Sequence, residues 1–348
     1  MATTAEAMTS SPDRPSHPLL SAVVPFLNEA ENLPSLITEL DQTLSGLGVP
    51  FELVLVDDGS RDGSLHIARE ELKKRPSLQA VLLSLSRNFG KEAALTAGLE
   101  ASRGDVVVPL DADLQDPPEL IGPMLEQWRQ GFDVVYAVRR RREGESRTKR
   151  FTAYGFYRLM GRLSATAIPA DTGDFRLMDR CVVDALLRLP ERSRFMKGLF
   201  AWVGFRQTAI TYNRNARQLG VTNWNYWKLW NFALDGITSF SRAPLQVWSY
   251  AGLGIALLAL AYGSWMVLRT LLVGVELPGY ASLMTAILFL GGVQLIGLGV
   301  LGEYLGRIFE EVKGRPLYLV REQWQQRGSP INQLPESQYS LDPQDSID

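Results

Sequence analysis

The sequence predicts an α/β domain, built on a mostly parallel sheet with helices on both faces, followed by a C-terminal two-helix transmembrane hairpin. Apolar runs of strand length alternate with helix-like segments through the first half of the chain, which is typical of βαβ units. These runs are almost continuously apolar, as expected of parallel strands buried on both faces. Two long segments of the second half contain no charged side chain. Each is long enough to cross a bilayer, which needs about 20 helical residues.

The predicted strands are Leu20–Pro25, Phe51–Val56, Leu78–Leu85, Asp105–Leu110 and Phe132–Val138. The predicted helices between them are Ala30–Leu44, Gly63–Lys74, Lys91–Ser102 and Pro117–Gln130. Asp116 precedes the Pro-Pro start of the last helix and is expected to cap it. Ligands of such sheets bind beyond the carboxyl ends of the strands, so the polar residues after each strand are the candidate functional residues.

The composition excludes several classes of function. The chain has 348 residues and a net charge of −2, whereas a dedicated nucleic-acid-binding protein carries a strong basic excess. Its single cysteine, Cys181, excludes a disulfide framework within the chain and a cysteine zinc site. The two histidines, His17 and His66, argue against multi-histidine metal sites and histidine-based triads.

The two uncharged segments are Ala243–Leu268 and Leu277–Gly302, and the short loop between them predicts a hairpin. The loop contains Arg269 as its one basic residue, while several arginines and lysines flank the hairpin on its outer sides. Basic flanks lie on the cytoplasmic side of a membrane, so both chain ends are expected there. The alternative is a pair of buried helices in a soluble protein.

Seven segments are expected along the chain. They are a disordered tail (1–18), a cytoplasmic catalytic domain (19–215), interfacial or juxtamembrane helices (216–242), transmembrane helices (243–270 and 277–303), a cytoplasmic juxtamembrane segment (304–324) and a second disordered tail (325–348). The interfacial assignment depends on the tryptophan-rich run within residues 223–240, which suits a helix lying along lipid headgroups. A core helix of the soluble domain is the alternative.

A divalent cation site is predicted at Asp111 and Asp113, directly after the fourth strand. In extended backbone, residues two apart point to the same side. Paired carboxylates at a strand end suit Mg²⁺ or Mn²⁺, which keeps open positions for phosphate oxygens. Asp57 and Asp58 precede a Gly-Ser turn and could accept hydrogen bonds from a base or a ribose, as could Glu29. Ordinary turn chemistry is the alternative for Asp57 and Asp58.

The densest basic patch follows the fifth strand and includes Arg139, Arg140 and Arg147. Guanidinium groups match phosphate oxygens in a bidentate geometry. The patch is therefore expected to hold a lipid phosphate. A solvated run of charge is the alternative.

Five motifs occur in order: PFLNEAEN, DDGS, RNFGKEAALTAG, DADLQDPPE and DTGDFRLMDR, followed by the hairpin. This series closely resembles family 2 glycosyltransferases with the GT-A fold. More narrowly, it resembles the polyisoprenyl-phosphate glycosyltransferases, which include bactoprenol glucosyltransferases and, more distantly, dolichol-phosphate mannose synthase. The resemblance covers about Leu20–Glu322. The Q-x-x-R-W signature of processive synthases is absent from the sequence.

The resemblance implies roles for particular residues. The residues expected at the nucleotide sugar are Pro25, Asn28, Glu29, Asp57, Asp58, Lys91, Asp111, Ala112 and Gln115. Asp113, Asp174 and Arg176 are expected to be catalytic, with the latter two on the acceptor side of the donor pocket. A phosphate monoester is mostly dianionic at neutral pH and needs no base. Asp174 is therefore expected to position groups rather than accept a proton.

The implied reaction is inverting, metal-dependent transfer of a single sugar from a nucleotide sugar to a polyisoprenyl phosphate. UDP-glucose and undecaprenyl phosphate are the expected substrates, at the cytoplasmic face of a bacterial plasma membrane. A homo-oligomer, a flippase and a downstream glycosyltransferase are the expected partners. The alternatives are GDP-mannose or a UDP-amino sugar as donor, a catalytically inactive membrane scaffold, and a soluble nucleotidyltransferase. The sequence does not name the sugar, because the shape of the pocket decides it.

Overall fold

The computed structural model describes residues 14–113, 115–139, 172–192, 194, 196–212, 243–273 and 279–327. The strands are β1 (Leu20–Phe26), β2 (Phe51–Asp57), β3 (Gln79–Leu85), β4 (Val106–Pro109), β5 (Val134–Arg139), β6 (Thr172–Asp179), β7 (Gln207–Tyr212) and β8 (Val320–Gln326). The helices are α1 (Leu33–Ser45), α2 (Ser64–Lys73), α3 (Lys91–Ala101), α4 (Ile121–Arg129), α5 (Arg180–Leu187), α6 (Met196–Trp202), α7 (Ala243–Val273) and α8 (Tyr280–Val312), with a 3-10 turn at Pro118–Leu120.

The described strands form one mixed sheet in the order β7-β5-β6-β4-β1-β2-β3-β8. Strands β1 to β4 pair in parallel, and β7 pairs in parallel with β5. Strand β6 lies antiparallel between β4 and β5, and β8 lies antiparallel to β3 at the other edge. Only β6 and β8 thus run against the other described strands. The predicted fold class, a mostly parallel α/β sheet, is confirmed.

Both faces of the sheet are covered by helices, which explains the continuous apolar runs. Along β1, Val24 packs in a cluster with α1, α2 and α4, whereas its neighbour Val23 packs in a second cluster with α3, α5 and α6. Helix α3 lies so close to the sheet that a Cβ built on Gly98 would lie 2.3 Å from Cγ1 of Val23. Glycine is therefore required there by packing.

The five predicted strands and four predicted helices all form, with ends shifted by a few residues. Three further strands, β6, β7 and β8, were not predicted. Strand β6 has the sequence TGDFRLMD, in which charged residues interrupt the apolar pattern. Strands β7 and β8 are edge strands; most side chains of β8 are exposed, and only Tyr212 of β7 is buried, so their sequences show no continuous apolar run.

The C-terminal part of the described chain corrects two segment predictions. Helix α8 continues to Val312, and residues 320–326, expected to span a juxtamembrane segment and the start of a tail, form β8 instead. Backbone pairing with β3 holds this polar strand, and the backbone N–H of Ser86 donates to the carbonyl of Leu319 at 2.8 Å. Trp324 packs on the core, and Glu322 pairs with Arg69 at 2.5 Å.

The contacts of Arg14 and Asp116 differ from those expected from the sequence. Arg14, inside the predicted N-terminal tail, pairs with Asp133 at 2.6 Å and stacks on the ring of Trp128. Asp116 does not cap the following helical turn. Its carboxylate instead accepts a hydrogen bond from the Tyr212 hydroxyl at 2.8 Å, which joins the 111–117 turn to the end of β7.

Both predicted membrane segments are helical in the structure. Phe289–Val312 is the one described segment with the length and apolarity of a bilayer span, while the apolar part of α7, Tyr250–Trp265, is shorter. The two helices meet where a Cβ built on Gly297 would lie 2.0 Å from Nε1 of Trp248. Residues 216–242, predicted to be interfacial, lie outside the described residues.

Both connections between the sheet and the hairpin start at the same edge of the sheet. Strand β7 ends at Tyr212, at the carboxyl edge that the parallel strands share. Strand β8 begins at Val320, opposite Leu85 at the carboxyl end of β3, so the chain returns from α8 at that edge as well. The carboxyl edge is therefore the part of the sheet that faces the connections to the hairpin.

We expect Trp324 to anchor β8 to the sheet. Trp324→Ala should lower the free energy of unfolding of the catalytic domain by about 1–3 kcal/mol, because a partly buried indole leaves the core. The measurement is thermal or denaturant unfolding in detergent. Gln325→Ala is the matched control, since the neighbouring side chain is exposed and its loss should change stability by less than about 0.5 kcal/mol. Equal effects in the two variants would contradict the anchoring role.

Candidate active site

A lysine ammonium joins two carboxylates at the carboxyl edge of the sheet. Nζ of Lys91, at the start of α3, lies 2.5 Å from Oδ1 of Asp111 after β4 and 2.6 Å from Oδ2 of Asp174 in β6. Burial favours the neutral amine, but the two carboxylates outweigh it and raise the pKa of Lys91 above its usual value. The ammonium thus stays charged and links three segments that are distant in sequence.

Asp58 stabilises the loop that precedes Lys91. Its Oδ1 accepts a hydrogen bond from the backbone N–H of Phe89 at 2.8 Å, and its Oδ2 accepts one from Gly90 at 3.0 Å. Burial raises the pKa of Asp58, while these two hydrogen bonds oppose the shift. Gly59 has a φ of 75°, and a Cβ there would lie 2.7 Å from the carbonyl carbon of Arg87. The DDGS turn therefore packs directly on the loop before α3.

Asp57 is buried and also satisfied within the protein. Its Oδ1 accepts from the backbone N–H of Ser60 at 2.9 Å, and its Oδ2 accepts from the Ser84 hydroxyl at 3.0 Å. Each carboxylate oxygen can accept a second hydrogen bond. Contact of Asp57 and Asp58 with a nucleoside therefore stays a prediction, while their internal hydrogen bonds are observed.

The loop after β1 is bonded to the DDGS turn. Asn28 has a positive φ of 54°, and its Oδ1 accepts from the backbone N–H of Arg61 at 2.9 Å. The side chain of Glu29 accepts from Nδ2 of Asn32 at 2.6 Å, which leaves it pointing along its own loop. Pro25 is buried within β1, paired with Val56. Contact of these three residues with a nucleotide sugar stays a prediction.

The predicted cation site lies at the turn after β4. Asp111 is about a third exposed, and Oδ1 of Asp113 accepts the backbone N–H of Gln115 at 3.2 Å. Ala112 and Gln115 are buried beside them. The described residues contain no group of three or more His, Cys, Asp or Glu side chains that could hold a metal. Two carboxylates fit Mg²⁺ or Mn²⁺ only if phosphate or water oxygens supply the other ligands, as in phosphate-binding sites.

Asp174 lies against Lys91 in the candidate site, whereas Arg176 lies deeper in the protein. Oδ2 of Asp174 takes the Lys91 ammonium, while its Oδ1 is buried without a hydrogen-bond partner among the described residues. Burial would raise the pKa of Asp174, but Lys91 lowers it below the usual range. Arg176 is almost fully buried, stacks on Phe200 and donates to the Gly173 carbonyl at 2.9 Å. Burial lowers the pKa of Arg176 to about 10.

Arg176 therefore supports the backbone around Asp174 from below. Its expected contact with a substrate stays a prediction. Arg139 ends β5 at the same edge of the sheet, whereas Arg140 and Arg147 lie outside the described residues. The structure thus brings Lys91, Asp111 and Asp174 into direct contact.

Glu92 belongs to this cluster, and sequence reasoning did not identify it. Burial, together with the charge of Asp174, raises the pKa of Glu92 to about 7, although Lys91 and Lys197 oppose the shift. Its Oε2 is buried without a hydrogen-bond partner among the described residues. The only available sequence signal was its position next to Lys91, because the effect of the Asp174 charge on Glu92 depends on how β6 packs.

The chain is similar to known proteins over most of its length. Residues 21–187 match the family described as "Glycosyl transferase family 2", and residues 243–308 match "GtrB C-terminal hairpin". An uncharacterised glycosyltransferase of Synechocystis is 56% identical over 315 residues, covering 90% of this chain and 98% of the relative. A prophage-derived bactoprenol glucosyl transferase of Shigella flexneri is 47% identical over 311 residues, covering 89% and 99%.

Among solved structures, a mannosyl-3-phosphoglycerate synthase from Rubrobacter xylanophilus aligns with a TM-score of 0.44 at 21% identity, covering 68% of this chain and 75% of that one. A Pyrobaculum calidifontis mannosyltransferase, in complex with GDP-Man and Mn²⁺, aligns with a TM-score of 0.43 at 18% identity, covering 85% and 86%.

Glu92→Gln should stabilise the protein more at high pH than at low pH. The pKa of Glu92 in the folded protein, about 7, lies above the usual value of 4.5, so stability is lost as the pH rises through the folded pKa. The variant imitates the protonated acid and removes up to about 3 kcal/mol of this loss. The measurement is the thermal midpoint in detergent at about pH 5.5 and about pH 8. The exposed Glu31, changed to Gln, should show no such pH dependence. If Glu92→Gln changed the thermal midpoint equally at both pH values, a raised pKa of Glu92 would be contradicted.

Proposed function

This chain belongs to glycosyl transferase family 2, and on that premise we propose that it transfers one glucose from UDP-glucose to a polyisoprenyl phosphate at the cytoplasmic membrane face. Family membership confirms the resemblance that the five motifs carried, and it makes the protein a glycosyltransferase. The hairpin match supports association with a membrane. The similarity to bactoprenol glucosyl transferases, over nearly their whole length, supports glucose and a polyprenyl acceptor.

One observation of the structure carries this proposal. Asp111, Asp113 and Asp174 lie at the carboxyl edge of the sheet, and both connections to the hairpin start at that edge. A donor bound there is close to the membrane hairpin. An acceptor confined to a bilayer can then reach the donor without leaving the membrane surface. A soluble sugar acceptor would not need this arrangement.

The chemistry requires positive charge at the diphosphate of the donor. An oxygen of the lipid phosphate attacks the anomeric carbon, the bond from that carbon to the diphosphate breaks, and the configuration inverts. A divalent cation at Asp111 and Asp113 would neutralise the departing diphosphate. Lys91 brings a second positive charge to the same place. Arg139, Arg140 and Arg147 are proposed to hold the lipid phosphate through bidentate guanidinium contacts.

Asp174 is proposed to position groups rather than act as a base. The acceptor phosphate has a second pKa of about 6 and carries no proton that must be removed at neutral pH. Asp174 itself is held ionised by Lys91, with its pKa below the usual range. Its hydrogen bond to Lys91 fixes the ammonium beside Asp111. A cytoplasmic catalytic domain, self-association, a flippase and a downstream transferase remain expectations of this proposal.

The donor and the metal can be tested together. Membranes containing the protein should convert polyisoprenyl phosphate and radiolabelled UDP-glucose to a glucosyl lipid monophosphate, and should use GDP-mannose or a UDP-amino sugar much less. Asp113→Ala should abolish turnover, and EDTA should do so reversibly, because the diphosphate loses its counter-charge. Asp184→Ala, an exposed carboxylate on α5, is the control and should keep activity. If the labelled lipid product carried a different sugar, glucose would be the wrong donor sugar. Full turnover in EDTA would contradict the role of the metal.

The role of Asp174 can be tested by its pH dependence. Asp174→Asn should lower kcat about tenfold to a hundredfold, because a positioning contact is lost while shape is kept. With saturating lipid phosphate, the rate should fall below about pH 6 in both proteins, because the acceptor becomes protonated. Glu92→Gln should keep the same acidic limb, which separates the acceptor from the nearby acid with a pKa of about 7. Loss of the limb in Asp174→Asn alone would identify Asp174 as the titrating base.

A further inference from the structure

The Lys91 ammonium occupies an oxygen that the proposed cation needs. It lies 2.5 Å from Oδ1 of Asp111, which is one of the two carboxylates at the predicted cation site. The described residues offer no third carboxylate, histidine or cysteine to complete a metal-binding group there. A cation that binds without a nucleotide would therefore find Asp111 already paired with the Lys91 ammonium.

The ammonium and a divalent cation compete for Asp111. Mg²⁺ binds carboxylate oxygens at about 2.0–2.1 Å, so both cations on this carboxylate would lie within a few ångströms of each other. Their repulsion is strong in a partly buried site, where water screens charge poorly. Lys91 bridges Asp111 and Asp174 at ion-pair distances, so a cation that takes Asp111 must first displace the ammonium from it.

We propose that Lys91 is an internal counter-ion that holds Asp111 in the donor-free enzyme and yields it to the cation only when a nucleoside diphosphate binds. The diphosphate supplies the missing oxygen ligands and offers the ammonium a new anionic partner. Cation and donor then bind as a coupled pair. This inference rests on the proposed function, since it takes a nucleotide sugar as the donor and a divalent cation at Asp111 and Asp113.

The structure gives Lys91 the freedom that this exchange needs. The side chain of Lys91 is 45% exposed, whereas that of its partner Asp174 is 12% exposed. The backbone before it is fixed, because Asp58 bonds the N–H groups of Phe89 and Gly90. The four-carbon stem can therefore swing while its attachment point stays in place.

The test measures Mn²⁺ binding without turnover, from the free Mn²⁺ signal in electron paramagnetic resonance. The full-length protein in detergent is titrated with Mn²⁺ alone, with UDP and with GDP. Wild type should bind Mn²⁺ weakly alone and much more tightly with the matching nucleotide. Lys91→Gln should bind Mn²⁺ alone at least about tenfold more tightly than wild type, because no ammonium competes for Asp111. The increase in Mn²⁺ affinity on adding nucleotide should be smaller than in wild type, and the same factor should apply to nucleotide affinity on adding Mn²⁺.

Three variants make the result specific. Lys197→Gln removes an equal charge that acts on Asp174 and Glu92 but has no ion pair to Asp111, so its Mn²⁺ affinity should stay within about threefold of wild type. Lys91→Arg keeps the charge and should retain weak Mn²⁺ binding. Asp111→Asn added to Lys91→Gln should abolish the gain. Circular dichroism and unfolding midpoints establish that each variant is folded.

The outcomes separate this inference from the proposed function. If wild type binds no Mn²⁺ with either nucleotide, the cation part of the proposed function fails and the inference fails with it. If wild type couples Mn²⁺ to nucleotide but Lys91→Gln binds Mn²⁺ alone no better than wild type, only the role of Lys91 is overturned. An equal gain in Lys197→Gln would also overturn it, since general electrostatics would then explain the effect.

Discussion

The ion pairs of Lys91 are the interaction on which the candidate site depends. Asp111, Asp174 and Glu92 bring three carboxyl groups to one partly buried region, and a buried charge is costly unless it is paired. The ammonium compensates two of them directly and lies next to the third in sequence. It also joins α3, the turn after β4 and β6, and Asp174 lies 83 residues from Lys91 in sequence.

Many motif residues form hydrogen bonds within the protein itself. Asp58 bonds the loop before α3, Asp57 bonds its own turn and Ser84, and Asn28 bonds the DDGS turn. Arg176 holds the backbone beneath Asp174. Loss of activity on mutating such a residue reports the shape of the pocket as well as any contact with substrate. Separating the two requires a readout of ligand affinity beside one of stability.

Strand β8 links the C-terminal hairpin to the edge of the sheet that carries the candidate site. Strand β8 returns the chain from α8 to the sheet and pairs with β3, so a membrane helix is tied to the strand that leads into the loop of Lys91. The ion pair of Arg69 with Glu322 and the packing of Trp324 reinforce this attachment. The candidate site thereby lies at the edge of the sheet where the chain leaves β7 and enters β8.

The sequence by itself determined the elements that depend on local pattern. Continuous apolar runs identified β1 to β5 and the helices between them, and two aspartates after a buried strand identified the predicted cation turn. It could not identify β6 or β8, because charged residues interrupt their patterns and long-range backbone pairing stabilises them. Nor could it join Lys91 to Asp174, 83 residues away, or find the raised pKa of Glu92. Only tertiary structure decided these features, because burial and charge at a site depend on which distant segments fold against each other.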